Sequence, residues 1–167
     1  MQTSPKRSLT VVLKTVERFN INCTYCYIFK QSDSSWKKRP IYITHEAVKQ
    51  TAKFLKQAVS DLNLGQILIV FHGGEPMMQR QRDFDAMCSE FRTLLEPEVE
   101  CNFSIQTNAM LMSQSWIKLF QKHRVSVSIS LDGTKKNNDK HRVDHQNKGT
   151  YDKVIQGIKL LQSEFND

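Results

Sequence analysis

A closely spaced pair of thiols is the part of the sequence best suited to metal or redox chemistry. Cys23 and Cys26 are separated by two residues. In a cytosolic chain such a pair indicates metal binding or thiol chemistry and not a disulfide framework. The other cysteines, Cys88 and Cys101, fall on the apolar faces of a predicted helix and a predicted strand, so we expect both to be inert core residues.

A glycine-rich turn is the second chemically suggestive segment. Gly73, Gly74, Glu75 and Pro76 follow a short apolar run that is typical of a buried strand. Two adjacent glycines let the backbone approach a ligand closely and leave N–H and C=O groups exposed to it. Glu75 supplies a carboxylate for a cationic group. The alternative is a plain turn, but the position directly after a strand favours a binding role.

A zinc site is a competing interpretation of the two thiols. Zinc needs two further ligands at suitable spacing. His72 could reach the thiols, but no second C-x-x-C or H-x-x-x-H motif follows convincingly. His141 and His145 are four residues apart in a polar loop, where we expect them to be solvated.

Apolar periodicity along the chain predicts strands that alternate with helices, and this pattern is typical of βαβ units with a parallel sheet. The predicted strands are Leu9–Val16, Ile67–Phe71, Cys101–Gln106 and Val125–Leu131. The predicted helices begin near Thr44, Asp83, Ser113 and Thr150. We expect Gly65 to end the first helix.

The fourth predicted strand favours a barrel over an open sheet. Valine, isoleucine and leucine alternate strictly with Ser126, Ser128 and Ser130. A sheet with helices on both faces is apolar on both, whereas one polar face suggests an interior that holds a polar ligand. We therefore expect an α/β fold, a partial parallel (β/α) barrel of about four β/α units. The thiol pair, the diglycine turn, the Gln106–Asn108 segment and the Ser130–Gly133 turn would then share the rim at the strands' carboxyl ends.

In combination, these motifs resemble the radical S-adenosylmethionine superfamily. The resemblance is carried by the run from Arg18 to Tyr27, by the Gly-Gly-Glu-Pro turn and by the Ser-Leu-Asp-Gly turn at 130–133. Within the superfamily, the chain resembles peptide-modifying enzymes that carry a C-terminal SPASM domain, among them ribosomal-peptide maturases and anaerobic sulfatase-maturing enzymes. The similarity covers residues from about Thr10 to Ile158.

The resemblance implies a [4Fe–4S] cluster held by a C-x-x-x-C-x-x-C motif, with S-adenosylmethionine on its open iron. It implies a 5′-deoxyadenosyl radical that oxidatively modifies a side chain of a peptide or protein substrate, and an electron donor such as a flavodoxin. Cys23 and Cys26 match the second and third cluster ligands. Eight further residues match cofactor contacts: Tyr25 near the adenine, Gly73, Gly74 and Glu75 around the amino group, Ser130 near the ribose, Arg142 at the carboxylate, and Gln106 and Asn108 lining the same cavity.

The sequence departs from this family in two ways. Phe19 stands where the first cluster cysteine is expected, and two thiolates are a poor anchor for a cubane. We therefore expect an impaired enzyme. The chain also stops after its fourth β/α unit, so we interpret residues 1–167 as a single truncated core domain, without the later units and the SPASM domain. A second chain that completes the barrel is a candidate partner.

The composition of the chain limits the kinds of partner and cellular location that we expect. The chain has 24 Lys+Arg against 17 Asp+Glu, but these side chains are scattered, with no basic stripe interleaved with aromatics. We expect no nucleic-acid partner, and an anionic cofactor or acidic peptide explains the excess as well. No segment resembles a membrane span or a signal peptide, so we expect a cytoplasmic protein. Three hypotheses stay open: an impaired radical enzyme, a non-catalytic binder of peptide or cofactor, and a zinc or redox C-x-x-C module.

Overall fold

The described residues form one parallel sheet of four strands, in which each strand pairs with the next one along the chain. The computed structural model describes residues 7–96 and 98–165. The strands are β1 (Arg7–Val16), β2 (Leu64–Gly73), β3 (Glu100–Thr107) and β4 (Val125–Ile129). The helices are α1 (His45–Leu62), α2 (Gln81–Leu95), α3 (Gln114–His123), α4 (Lys135–His141) and α5 (Tyr151–Phe165). The predicted parallel α/β fold of about four β/α units is confirmed.

The register of the sheet places the carboxyl ends of all four strands at one edge. Leu13 pairs with Phe71, Phe71 with Ile105, and Ile105 with Val127. Because the strands are parallel and in step, the loops that follow them open on the same side. The position of the chemically suggestive segments on one rim follows from this register.

One face of the sheet carries the hydrophobic core. Ile67, Ile69 and Phe71 on β2 are fully buried and belong to the same cluster as the apolar faces of α1, α2 and α3. Aromatic rings extend this core, since the Phe71 and Phe84 centroids lie 4.9 Å apart. Burying such rings supplies the largest share of the packing energy.

Cys88 and Cys101 lie in this core, as the sequence predicted. They are 0 % and 2 % exposed. Burial raises the pKa of Cys101 to about 11 and raises the pKa of Cys88 as well, so both thiols keep their protons at neutral pH. Neither cysteine lines the cavity that contains the other two.

The opposite face of the sheet has no helix packed on it among the described residues. Ser126 and Ser128 on β4 are exposed there, and Val12 on β1 is 62 % exposed. The alternation that predicted one polar face is therefore confirmed on β4. β4 itself ends at Ile129, which leaves Ser130 and Leu131 in the following turn.

The ends of α1 and α3 follow from local chemistry. The Thr44 hydroxyl accepts a hydrogen bond from the Ala47 N–H at 3.1 Å, and the Ser113 hydroxyl accepts one from Trp116. The prediction that Gly65 ends α1 is wrong, because Asn63 adopts the left-handed conformation at the C-cap with a φ of 50° and Gly65 lies within β2. Asparagine tolerates this conformation better than most residues.

The starts of α2 and α5 differ in detail from the prediction. α2 begins at Gln81, two residues before Asp83, whose carboxylate lies in its first turn. The Thr150 hydroxyl donates to the Arg142 carbonyl, and it is Asp139 that accepts the Tyr151 N–H at the start of α5. Within residues 7–96 and 98–165, no helix is both long enough and apolar enough to cross a membrane.

Candidate functional site

The rim at the strands' carboxyl ends surrounds a cavity of about 200 Å³. All the site residues predicted from the sequence line it: Cys23, Tyr25, Cys26, Gly73, Gly74, Glu75, Gln106, Asn108, Ser130 and Arg142. They lie at the carboxyl ends of β2 and β3 and in the segments that follow each of the four strands. The thiol segment and the diglycine turn therefore open onto one shared space, as the sequence interpretation required.

The loop that carries the thiols is held by the segment between α4 and α5. The Asn22 and Thr24 N–H groups donate to carbonyl oxygens of Val143 and His141 at 2.7 and 2.9 Å. The His141 ring also bonds the Thr24 hydroxyl. His145 Nε2 donates to the Phe19 carbonyl at 3.1 Å. His145 is exposed and His141 is partly exposed, in agreement with the expected solvation, and each also makes a hydrogen bond to the thiol loop.

The two glycines accommodate the chain's own backbone. The Gly74 N–H donates to the Val16 carbonyl at 2.6 Å, and the Glu75 N–H donates to the Arg18 carbonyl at 2.8 Å. A Cβ on Gly74 would overlap the Arg18 carbonyl group. The glycines closely approach the residues leaving β1, and both also line the cavity. These glycines fix where the thiol loop starts.

Glu75 is a buried carboxylate at the back of the cavity, with 1 % exposure. It accepts hydrogen bonds from the Thr107 hydroxyl at 2.6 Å and from the N–H groups of Met77 and Asn108 at 3.0 and 2.8 Å. Burial raises the pKa of Glu75, and these three donors oppose that effect. No cationic side chain forms an ion pair with Glu75 among the described residues.

Arg142 lies almost buried at the other side of the cavity, with 11 % side-chain exposure. Its Nη1 donates to the Tyr25 hydroxyl at 2.8 Å and lies 3.6 Å from an Asp132 carboxylate oxygen. Its Nε is buried and has no hydrogen-bond partner in the described structure. A buried donor without an acceptor is unfavourable, so a hydrogen-bond acceptor that reached this nitrogen would stabilise the site.

Tyr25 is fixed between Arg142 and Asp132. Its hydroxyl donates to Asp132 at 2.5 Å while it accepts from Arg142. Burial and the bond to Asp132 raise the pKa of Tyr25. The sequence analysis did not assign a role to Asp132, although the turn after the fourth strand contained it. Half of the tyrosine side chain stays exposed toward the mouth of the cavity.

The remaining predicted residues contact one another. The Gln106 side-chain amide donates to the Ser130 hydroxyl at 2.7 Å, which links the ends of β3 and β4. The Asn108 amide donates to Asn20 at 2.7 Å, so it connects β3 to the thiol loop. His72 also lines the cavity and was considered only as a zinc ligand. Its Nδ1 accepts the Gly73 N–H, and burial lowers the pKa of His72, so the ring is neutral with its proton on Nε2.

Comparison with known proteins decides the family. The family described as "Radical SAM superfamily" matches residues 18–167. The chain belongs to the radical SAM superfamily.

Two similar proteins are named as anaerobic sulfatase-maturating enzymes. The chain is 28 % identical over 157 residues to a serine-type anaerobic sulfatase-maturating enzyme of Bacteroides thetaiotaomicron, covering 93 % of this chain and 37 % of the relative. It is 28 % identical to a cysteine-type enzyme of Clostridium novyi, covering 93 % and 41 %. The solved structure of anSMEcpe with bound AdoMet and the Kp18Cys peptide superposes with a TM-score of 0.78 at 25 % identity, covering 94 % of this chain and 41 % of that one. The chain thus spans about two fifths of the length of these relatives.

The thiol donors of this radical SAM domain do not match the three thiolates of the usual cluster motif. Cys23 and Cys26 are half-buried, and Phe19 stands on the wall beside them. Burial raises the pKa of Cys23, and the positive charge of Arg142 opposes the shift. Among residues 7–96 and 98–165, no group of three or more His, Cys, Asp or Glu side chains is placed to hold a metal ion.

Proposed function

We propose that this chain is the cofactor-binding core of a radical SAM enzyme that oxidatively modifies a side chain of a peptide or protein, and that Phe19 impairs its radical chemistry. Residues 18–167, which the family model matches, belong to one core domain in this proposal. The cavity binds S-adenosylmethionine, with Cys23, Cys26 and the eight polar and glycine residues described above around it. The observation that carries the proposal is that the Arg142 guanidinium side chain and the buried Glu75 carboxyl group line one cavity.

The charges of the cavity match the amino-acid end of S-adenosylmethionine. That end carries a carboxylate and an ammonium group. Arg142 offers a buried guanidinium donor, and guanidinium–carboxylate pairs are strong because both partners are charged. Glu75 is a buried carboxyl group whose hydrogen-bond donors are all neutral, so an ammonium group would stabilise its ionised form.

Tyr25 suits the adenine end of the cofactor. Its hydroxyl is held at both sides, which fixes the ring at the mouth of the cavity before any ligand arrives. A fixed aromatic ring provides a stacking surface at low entropic cost. The hydroxyl group of Ser130 and the amide of Gln106 line the same cavity as partners for a ribose.

The substrate class rests on the relatives. Two are named as sulfatase-maturating enzymes, and a similar solved structure contains a bound peptide. Ser126 and Ser128 on β4 are exposed on the uncovered face of the sheet, and they would suit an extended polar backbone. We propose that further polypeptide, from this or a second chain, pairs with the outer edge of β4 and encloses this face.

The proposal that the radical chemistry is impaired rests on the incomplete set of iron ligands. The motif supplies two thiolates where three are needed, and phenylalanine has no lone pair for iron. No step of a radical reaction is therefore assigned to this chain. A non-catalytic role in which the chain binds the cofactor is the second candidate, and the packing of the Phe19 ring against Phe29 favours it.

Equilibrium dialysis with S-adenosylmethionine tests the proposal. Arg142→Gln removes the free guanidinium donor, and we expect binding to weaken at least about tenfold, since a charge-assisted bond contributes roughly 1.5–3 kcal/mol. Arg82→Gln is the matched control, because the Arg82 side chain is 80 % exposed and does not line the cavity. Equal affinity of both variants, or no binding by the unaltered chain, would contradict the proposal.

A further inference from the structure

An aromatic cluster lies directly beside the thiols. It consists of Phe19, Phe29 and Trp36. The ring centroids of Phe19 and Phe29 are 4.1 Å apart at an interplanar angle of 76°, and those of Phe29 and Trp36 are 4.8 Å apart at 68°. Both contacts are edge-to-face, the favourable geometry for aromatic pairs. The Arg18 guanidinium lies 5.3 Å from the Trp36 ring and donates to the Trp36 carbonyl, which adds a cation–π contact to this cluster.

The aromatic cluster fills the space on the far side of the thiols. A small cavity of about 40 Å³ is enclosed there by Phe19, Phe29 and the two cysteines, with three neighbouring residues. This is room for about one water molecule, whose share of liquid volume is about 30 Å³. Phe19, at the sequence position of the expected first cluster cysteine, is thus a packed side chain.

Hydrogen bonds also hold the thiol loop in place, both at its beginning and in its middle. Its beginning is bonded to the diglycine turn through Val16 and Arg18, and its middle is bonded to His141 and Val143. The Asn20 side chain is bonded to Asn108 at the end of β3. These contacts connect the loop to three other rim segments. Every one of them is a contact between protein groups.

We infer that the aromatic cluster replaces the iron–sulfur cluster as the element that holds the thiol loop in place, so that the cavity binds S-adenosylmethionine without iron. This inference rests on the proposed function, since it concerns the same cavity. It assigns to Phe19 a packing role, and it makes the chain an iron-independent cofactor-binding protein. Arg142 and Tyr25, which form the ligand side of the cavity, are themselves bonded to residues outside the aromatic cluster.

The first experiment compares two preparations of the unaltered chain. One is treated with a chelator, and the other is reconstituted anaerobically with iron and sulfide. Dialysis against S-adenosylmethionine should give dissociation constants that agree within about twofold, or about 0.4 kcal/mol. Binding that requires reconstitution would overturn this inference alone. Absence of binding in both preparations would overturn the proposed function together with it.

The second experiment removes part of the aromatic cluster. Phe29→Ala in the chelator-treated chain should weaken S-adenosylmethionine binding by at least about fivefold, because a loosened loop must be ordered again on binding. Amide hydrogen exchange should rise between residues 19 and 30 and stay unchanged in the core strands. Phe54→Ala is the matched control, since Phe54 is 71 % exposed on α1. Phe29→Leu retains apolar volume and keeps the test interpretable if the alanine variant does not fold.

The third experiment introduces a thiol at position 19, which should favour iron binding over the aromatic packing. Phe19→Cys restores the spacing of the cluster motif, so iron uptake on reconstitution should rise while binding by the iron-free variant weakens. Phe29→Cys places a thiol in the same aromatic cluster at the wrong spacing and controls for nonspecific iron. If Phe19→Cys binds the cofactor as well as the unaltered chain does when both are iron-free, the aromatic cluster does not hold the loop.

Discussion

Replacing Gly74 with alanine tests how the diglycine turn positions the thiol loop. A Cβ at this position would overlap the carbonyl carbon and oxygen of Arg18, which are backbone atoms that no side-chain rotation can move away. The φ angle of Gly74 lies outside the left-handed region, where only Gly73 and Gly133 among the described glycines are found. The expected effect is therefore steric and independent of backbone strain.

The expected loss of stability follows from two contributions. Relief of the overlap shifts the chain at Arg18, and overpacking of this kind typically costs about 1–3 kcal/mol. The same shift weakens the hydrogen bonds from Gly74 to Val16 and from Glu75 to Arg18, each contributing roughly 0.5–1.5 kcal/mol. We expect a total of about 2–4 kcal/mol, which lowers Tm by about 4–16 °C for a domain of this size.

Urea and thermal denaturation followed by circular dichroism measure this loss. Gly133→Ala is the matched control, because Gly133 has a φ of 73° and a Cβ added there would meet no atom within 4 Å. It should lose only about 1 kcal/mol through its left-handed backbone. If Gly74→Ala is no less stable than Gly133→Ala, the packing of the diglycine turn against Arg18 is refuted.

Two further predictions concern titratable groups. In the native chain a thiol reagent should modify two cysteines, and mass spectrometry can count them. Cys88 and Cys101 should react only after denaturation, because burial keeps them protonated. Modification of all four thiols in the native chain would contradict this prediction. Burial raises the pKa of Glu75 above its ordinary 4.5, so the folded chain retains a proton that the unfolded chain releases, and stability should fall as pH rises above about 4.5. Denaturation across a pH series should show this slope in the unaltered chain and lose it in Glu75→Gln; identical slopes would refute the assignment.

The fold was predictable wherever one residue's chemistry decides the local structure. Thr44 and Ser113 cap helices because their hydroxyls reach the third N–H, and sequence alone indicates this. The end of α1 was misplaced because Asn63 and Gly65 both tolerate turn conformations, and the pairing of β2 with its neighbours decided between them. α4 was missed because Lys135–His141 contains no apolar residue and therefore no hydrophobic stripe.

The members of the candidate site were predictable, but their partners were not. Every predicted residue reaches the cavity because parallel strands in register end together. The contacts of Glu75 with Thr107, and of Tyr25 with Asp132, join residues that are 32 and 107 positions apart. A local sequence pattern carries no information about contacts between residues so far apart along the chain. The contact of the diglycine turn with the backbone near Arg18 was not predicted, because a backbone neighbour leaves no signature in the sequence.

The segment between α4 and α5 both supplies Arg142 and bonds the loop that follows β1. Residues 19–24 and 141–145 therefore form one interlocking unit, although most of the chain separates them. A graft of residues 19–24 onto a homologous scaffold must therefore include residues 141–145, because each segment depends on hydrogen bonds from the other. Natural substitutions in one piece should likewise be accepted only alongside compensating changes in the other.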